Sequence, residues 1–209
     1  MRPSVLLTGF FVMFAVLLLS APVHAQVPPE KPTPPAISKP MAVTVYGGRL
    51  LNGNFSRLFY DPFSADALNT GLVAITGSYR VHRFDFGLSF EVEAGVAQRF
   101  GDEDLTEIWA AAVARWDRFP WNDYVYTTLG VAFWGPNYST KISDHEQSRN
   151  SGKKTHWMNM FSPEVTFAPP DQKDLELVLR LHHRSGVFGL YNGTDSGSTF
   201  WTAGVRYHF

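Results

Sequence analysis

The sequence predicts an all-β protein, an eight-stranded antiparallel outer-membrane β-barrel. Three observations predict it: a period of two in residue character that recurs along the chain, connections that alternate between short and long, and a last strand that alternates up to Phe209. The chain's 209 residues suit one domain. A net charge of -1 gives no reason to expect a nucleic acid or any partner recruited by bulk charge. With no cysteine, disulfides, thiol nucleophiles and cysteine-based zinc sites are excluded. Aromatic residues are 15% of the chain and charged residues only 18%, a balance that suits a barrel with aromatic girdles at two lipid-water boundaries.

Residues 1–25 read as a secretory signal: Arg2 is the positive end, Val5 to Leu19 the apolar stretch, and Val23-His24-Ala25 the compact residues before cleavage. In residues 26–40, Pro28, Pro29, Pro32, Pro34, Pro35 and Pro40 remove backbone donors, so an extended linker outside any core is expected. The barrel domain then occupies 41–209. No later stretch is long and apolar enough for a membrane helix, so a spanning chain must close its strands into a barrel.

Strands are expected near 41–51, 72–82, 85–100, 105–116, 124–134, 156–168, 175–185 and 199–209. Between Asp85 and Phe100 the pattern is plain. Phe86, Leu88, Phe90, Val92, Ala94 and Val96 share one face, while Asp85, Ser89, Glu91, Glu93 and Arg99 share the other. From a periplasmic start, the connections 83–84, 117–123 and 169–174 are short and carry turn residues such as Asp117, Pro120, Pro169 and Pro170. Those at 52–71, 135–155 and 186–198 are long, and only 101–104 is brief on that side. A soluble sandwich has no reason to alternate in this way. On the last strand Trp201, Ala203, Val205, Tyr207 and Phe209 share a face, and an alternating strand ending in Phe resembles the terminal signal read by outer-membrane assembly machinery.

Eight strands enclose a space that side chains fill, so a packed plug is expected and not a pore. Arg80, Glu91, Glu93, Arg99, Glu107, Arg115, Glu164, Glu176, Arg180 and Arg206 are the inward candidates, with both signs available for pairing. Asp144-His145-Glu146 reads as a solvated loop rather than a metal cluster, since adjacent residues define no coordination geometry. Arg57, Lys153, Lys154 and His156 stand at the outer edge as solvated charges or phosphate contacts.

The chemistry lies near the seventh strand. Leu175, Leu177, Leu179 and Leu181 must face lipid, and the same alternation carries His183 and Ser185 to that face while His182 and Arg184 turn inward. Residues two apart on one face lie ~6.6 Å apart at the backbone, within reach of an imidazole-to-hydroxyl contact. On spacing alone the pair is either a serine activated by histidine or a polar pair at the rim.

The segment Leu181-His182-His183-Arg184-Ser185-Gly186, then Asn192-Gly193 and the closing Tyr207-His208-Phe209, resembles the C-terminal region of the outer-membrane lipid A 3-O-deacylase family. These are barrels related to acyloxyacyl hydrolases. The resemblance covers about the last thirty residues and implies His183 as general base and Ser185 as nucleophile. It also implies hydrolysis of an ester-linked acyl chain of lipid A through an acyl-enzyme. Two positions depart from the family. Gly186 stands where Asn commonly follows the serine, and Ser196, Gly197 and Ser198 stand where a Glu orients the histidine. Asp195 is the nearest acid and is the expected orienting residue if its loop folds back; Asn192 and the Gly186 amide are the expected oxyanion donors. No cofactor and no metal are expected. Expected partners are lipid A or lipopolysaccharide, other outer-membrane lipids, the assembly machinery and a second copy of the chain. The alternative is a non-catalytic structural or adhesion-type barrel acting through its extracellular loops.

Overall fold

The computed structural model describes residues 37–53, 55, 61 and 65–209. The expected signal segment 1–25, linker residues 26–36 and Arg57 lie outside the described residues.

Strands β1 (Met41–Asn52), β2 (Asp66–Arg83), β3 (Leu88–Gly101) and β4 (Leu105–Trp116) each pair antiparallel with the next. They are followed by β5 (Tyr126–Trp134), β6 (Pro136–Ser139), the short helix α1 (Asp144–Arg149), β7 (Trp157–Ala168), β8 (Leu175–Ser185) and β9 (Ser198–His208). Only Gly135 separates β5 from β6, and both pair with β4 and β7, so together they form one stave. β9 pairs with β1 and closes the sheet. The result is a closed, eight-stave, up-and-down barrel, as the sequence predicts, with no open sheet edge among the described residues to leave backbone groups unpaired.

Apart from offsets of one or two residues, three boundaries differ from expectation: the fifth stave runs on past Gly135 into β6, inside the 135–155 segment expected as a loop, and β2 and β3 start elsewhere. β2 begins at Asp66 rather than near 72, because Leu51 and Asn52 pair with Ala67 and Asp66 past an irregularity in β1. β3 begins at Leu88 because 84–87 form a tight turn, with the Phe84 amide donating to the Leu88 carbonyl at 2.8 Å and Gly87 at φ +92°. That positive φ suits glycine.

The alternation determines which side chains meet lipid. Val45, Val73, Ile75, Val92, Val96, Ile108, Leu129, Leu175, Leu177 and Val205 are exposed on the outer surface. Aromatic residues flank this band: Phe86, Trp121, Tyr124, Tyr207 and Phe209 at the end with the short turns, and Phe100, Trp134 and Trp157 toward the other. An apolar belt with aromatic girdles is what a bilayer requires of a barrel. Outer-membrane barrels keep their short turns on the periplasmic side, and by that rule the end with Met41 and Phe209 is assigned as periplasmic.

Inside, nine of the ten expected inward charges are 8% exposed or less. Arg80, at the periplasmic rim, is half-buried and donates to the Ser38 and Lys39 carbonyls. The charges pair across the lumen. Glu164 joins Arg115, Arg180 and Arg206; Arg180 also reaches Glu93 at 2.7 Å, Arg115 reaches Glu91 at 2.8 Å, and Glu176 holds Arg206 and His208. Nearer the outer end, Arg99 pairs with Glu103 and Glu107, each at 2.6 Å. The plug is less uniformly polar than expected. A cluster including Tyr46, Leu50, Leu72, Trp109, Met160 and Phe200 is buried among the charges, with Arg99 over Phe200 and Arg180 over Tyr46.

Two further expectations are corrected. Ile37, in the linker expected to join no core, packs with Tyr126 and Ala168 at the periplasmic mouth. Glu146, expected in a solvated loop, is 3% exposed because α1 turns it down onto Arg99 and Arg184.

Candidate active site on the outer face of the barrel

β8 starts from the periplasmic turn and ends at Ser185, so His183 and Ser185 lie at the outer end of the stave. The two histidines separate as the pleat requires. His182 is fully buried inside, with Nδ1 3.0 Å from the Tyr46 hydroxyl and Nε2 3.1 Å from Glu107 Oε2. His183 is on the opposite face, between Phe161 of β7 and Thr199 of β9 in the register, while Ser185 stands opposite Asn159. The β7–β8 ladder is interrupted just below. Pro163 has no N–H, and the Ser162 hydroxyl donates instead to the Leu181 carbonyl at 2.7 Å. That substitution keeps the strand ordered next to His183.

His183 Nδ1 lies 3.0 Å from the Ser198 carbonyl and 2.8 Å from Thr199 Oγ1. A carbonyl only accepts, so the proton is on Nδ1 and Nε2 keeps its lone pair. The imidazole is therefore held in the tautomer a general base needs. Although His183 is on the lipid side, it is only 7% exposed. Phe55 stacks on it with centroids 4.2 Å apart, and Phe161 meets Phe55 edge-on at 5.4 Å. Direct lipid exposure of His183 is thus corrected to a site under an aromatic cover. Ser185 is half-buried, and among the described residues no hydrogen bond joins it to His183.

The other expected site residues are more dispersed. Asp195 is exposed, and its backbone N–H donates to Asn150 Oδ1 at 2.8 Å; the Nδ1 position it was expected to serve is taken by Ser198 and Thr199. Asn192, at φ 53°, donates one amide hydrogen to the Lys154 carbonyl at 2.7 Å, leaving its second N–H. Gly186 is buried directly after Ser185, where a Cβ would come 1.8 Å from the Thr194 carbonyl oxygen. Glycine at that position is what the returning loop demands. Lys153 donates to the Gly193 carbonyl at 2.7 Å, and His156 stacks on Tyr138.

No protein-family profile and no curated protein matches the sequence. Among solved structures, the chain is similar to the outer membrane enzyme PagL: 12% identity, TM-score 0.55, over 81% of this chain and 99% of that one. The likeness is one of fold. Neisserial surface protein A, with 15% identity and TM-score 0.46, covers 81% of this chain and 97% of its own. Ail of Yersinia pestis, with 13% identity and TM-score 0.43, covers 82% and 100%. The fold is that of bacterial outer-membrane β-barrels, and the apolar outer band with its aromatic girdles places the chain in that membrane.

Sequence reasoning missed Phe55 and Thr199. Thr199 had a usable signal, since it shares the outer face of its strand with Trp201, but pairing it with His183 needs the β8–β9 register. Phe55 had none, because it meets His183 across 128 positions.

Proposed function

We propose that the chain is an outer-membrane esterase that removes an ester-linked acyl chain from lipid A, with Ser185 as nucleophile and His183 as general base. The observation that carries this reading is the tether on His183 Nδ1, which leaves the Nε2 lone pair unprotonated on the lipid side of the barrel, two residues from a serine. A soluble ester could hardly reach that face, whereas a lipid ester lies against it. The aromatic cover of Phe55 and Phe161 suits an acyl chain as the group that slides in.

In the proposed reaction His183 Nε2 takes the Ser185 proton as Oγ attacks the ester carbonyl. The tetrahedral oxyanion is met by the Gly186 amide and the second N–H of Asn192. Collapse expels the sugar alkoxide, which takes the proton from His183 and leaves an acyl-serine. Water, deprotonated by His183, then releases the fatty acid. Asp195 retains a role only if the loop carries its side chain to the site; in the structure Ser198 and Thr199 orient the imidazole instead. A histidine oriented without a carboxylate supports slower catalysis, since oxyanion donors and binding contribute independently.

The stack of Phe55 on His183, and the lack of a bond from His183 to Ser185, favour a second reading: a non-catalytic barrel whose loops are its working surface. Expression of the wild type and Ser185→Ala in a Gram-negative host, followed by mass spectrometry of lipid A, separates them. Loss of one acyl chain with the wild type alone supports the esterase. Unchanged lipid A with both, in correctly inserted barrels, leaves the second reading.

A further inference from the structure

Ser198 makes contacts on both sides of the barrel wall. Its hydroxyl points inward, 2.7 Å from Glu146 Oε1 and 2.6 Å from Arg99 Nη2, while its carbonyl accepts from His183 Nδ1 on the outer side. It is the first residue of β9 and pairs with Arg184, the neighbour of His183. Gly197 lets the chain approach closely here, since a Cβ at that position would lie 1.5 Å from the Arg184 carbonyl oxygen.

Glu146 belongs to α1, which sits on the outer mouth of the barrel and is capped by Ser143, whose hydroxyl accepts from the Glu146 amide. The same helix grips the approach to β9 a second time. Asn150, at its C-terminal cap, accepts from the amides of Asp195 and Ser196 at 2.8 and 2.9 Å and donates to the Ser196 carbonyl at 2.7 Å. Residues 195–198 are therefore clamped at both ends by one short helix, and the clamped segment is what presents a carbonyl to His183.

We infer that α1 is a positioning element for His183, with Glu146 and Asn150 as positioning residues acting through Ser198. The inference rests on the esterase reading insofar as it concerns turnover, but its structural content is separate. Glu146 and Asn150 touch neither Ser185 nor the imidazole. Their effect is to hold one carbonyl in place, and with it the tautomer and ring orientation of the base. A loop helix far away in sequence thus does the work that a carboxylate adjacent to a catalytic histidine does elsewhere.

The test uses the full chain refolded in detergent micelles, as wild type, Glu146→Gln and Asn150→Ala, each checked for barrel closure by gel mobility without heating. Solvent exchange of the His183 Nδ1 proton, read by NMR, reports the tether directly. Loss of one anchoring hydrogen bond is expected to speed that exchange by roughly fivefold in each variant. Hydrolysis of a lipid A ester is expected to show lower kcat, nearly unchanged KM and a displaced acidic limb of the pH profile. If Glu146→Gln fails to close, Asn150→Ala decides alone. Unchanged exchange and an unchanged pH profile in closed variants overturn the positioning role while leaving the esterase intact. Faster exchange in a protein whose wild type hydrolyses no ester supports the clamp and rejects the esterase.

Discussion

The ring of Phe55 lies over the imidazole of His183, centroids 4.2 Å apart and planes 23° from parallel. The two residues belong to opposite ends of the chain, and their stack turns a lipid-facing histidine into a covered one. Phe55→Ala is expected to cost about 1 kcal/mol of aromatic contact and to uncover the ring. Modification of His183 by diethyl pyrocarbonate is then faster than in the wild type, and equal rates would show that Phe55 is no cover.

Glu164 is 3% exposed and binds the guanidinium groups of Arg115, Arg180 and Arg206. Its removal leaves excess positive charge in a narrow lumen. Glu164→Gln is expected to destabilise the barrel by about 3–5 kcal/mol, read as a lower urea midpoint of the refolded protein. A midpoint within error of the wild type would mean that the remaining carboxylates suffice.

Much of this is legible in the sequence itself. The period of two identifies the faces of most stave segments, because a residue such as Glu93 or Arg180 has only two sides to choose from and one of them is lipid; it slips where the register shifts, at Leu50-Leu51 in β1 and Phe133-Trp134 in β5. Alternation likewise carries His183 and Ser185 to the outer face. What it does not contain is how loops fold back over the ends. Glu146 and Phe55 lie in connections, where no period applies, and each finds its partner across the barrel. Asp195 was the natural acid by proximity in sequence, yet the turn through Gly186 and Thr194 and the grip of Asn150 present the Ser198 carbonyl instead.

The same turn makes a sharp demand on Gly186. A methyl group there would lie 1.8 Å from the Thr194 carbonyl, so Gly186→Ala has to displace the β8–β9 connection. The expected result is faster proteolysis between 187 and 196 with the staves still intact. Resistance equal to the wild type would show that the loop yields without cost.

α1 also carries a pH dependence. Burial, with Arg149 beside it, holds the His145 imidazole below its ordinary value despite the nearby Glu103 and Glu146. The docked helix therefore binds fewer protons than the free loop in that interval. Docking is strongest above the ordinary histidine value of about 6.5 and weakens as pH falls through it toward the lowered value. Cleavage of 140–156 by an acid-tolerant protease is expected to be faster at about pH 5 than at about pH 8 relative to an unfolded reference, and His145→Gln should remove the difference. The same ratio at both pH values contradicts it.

The most direct test is turnover by the purified, refolded barrel with lipid A in mixed micelles, following released fatty acid. The wild type is expected to release one acyl chain per lipid A, while Ser185→Ala and His183→Asn, equally well folded, release none. Release by Ser185→Ala at the wild-type rate, or none by any of the three, would contradict a Ser185–His183 esterase.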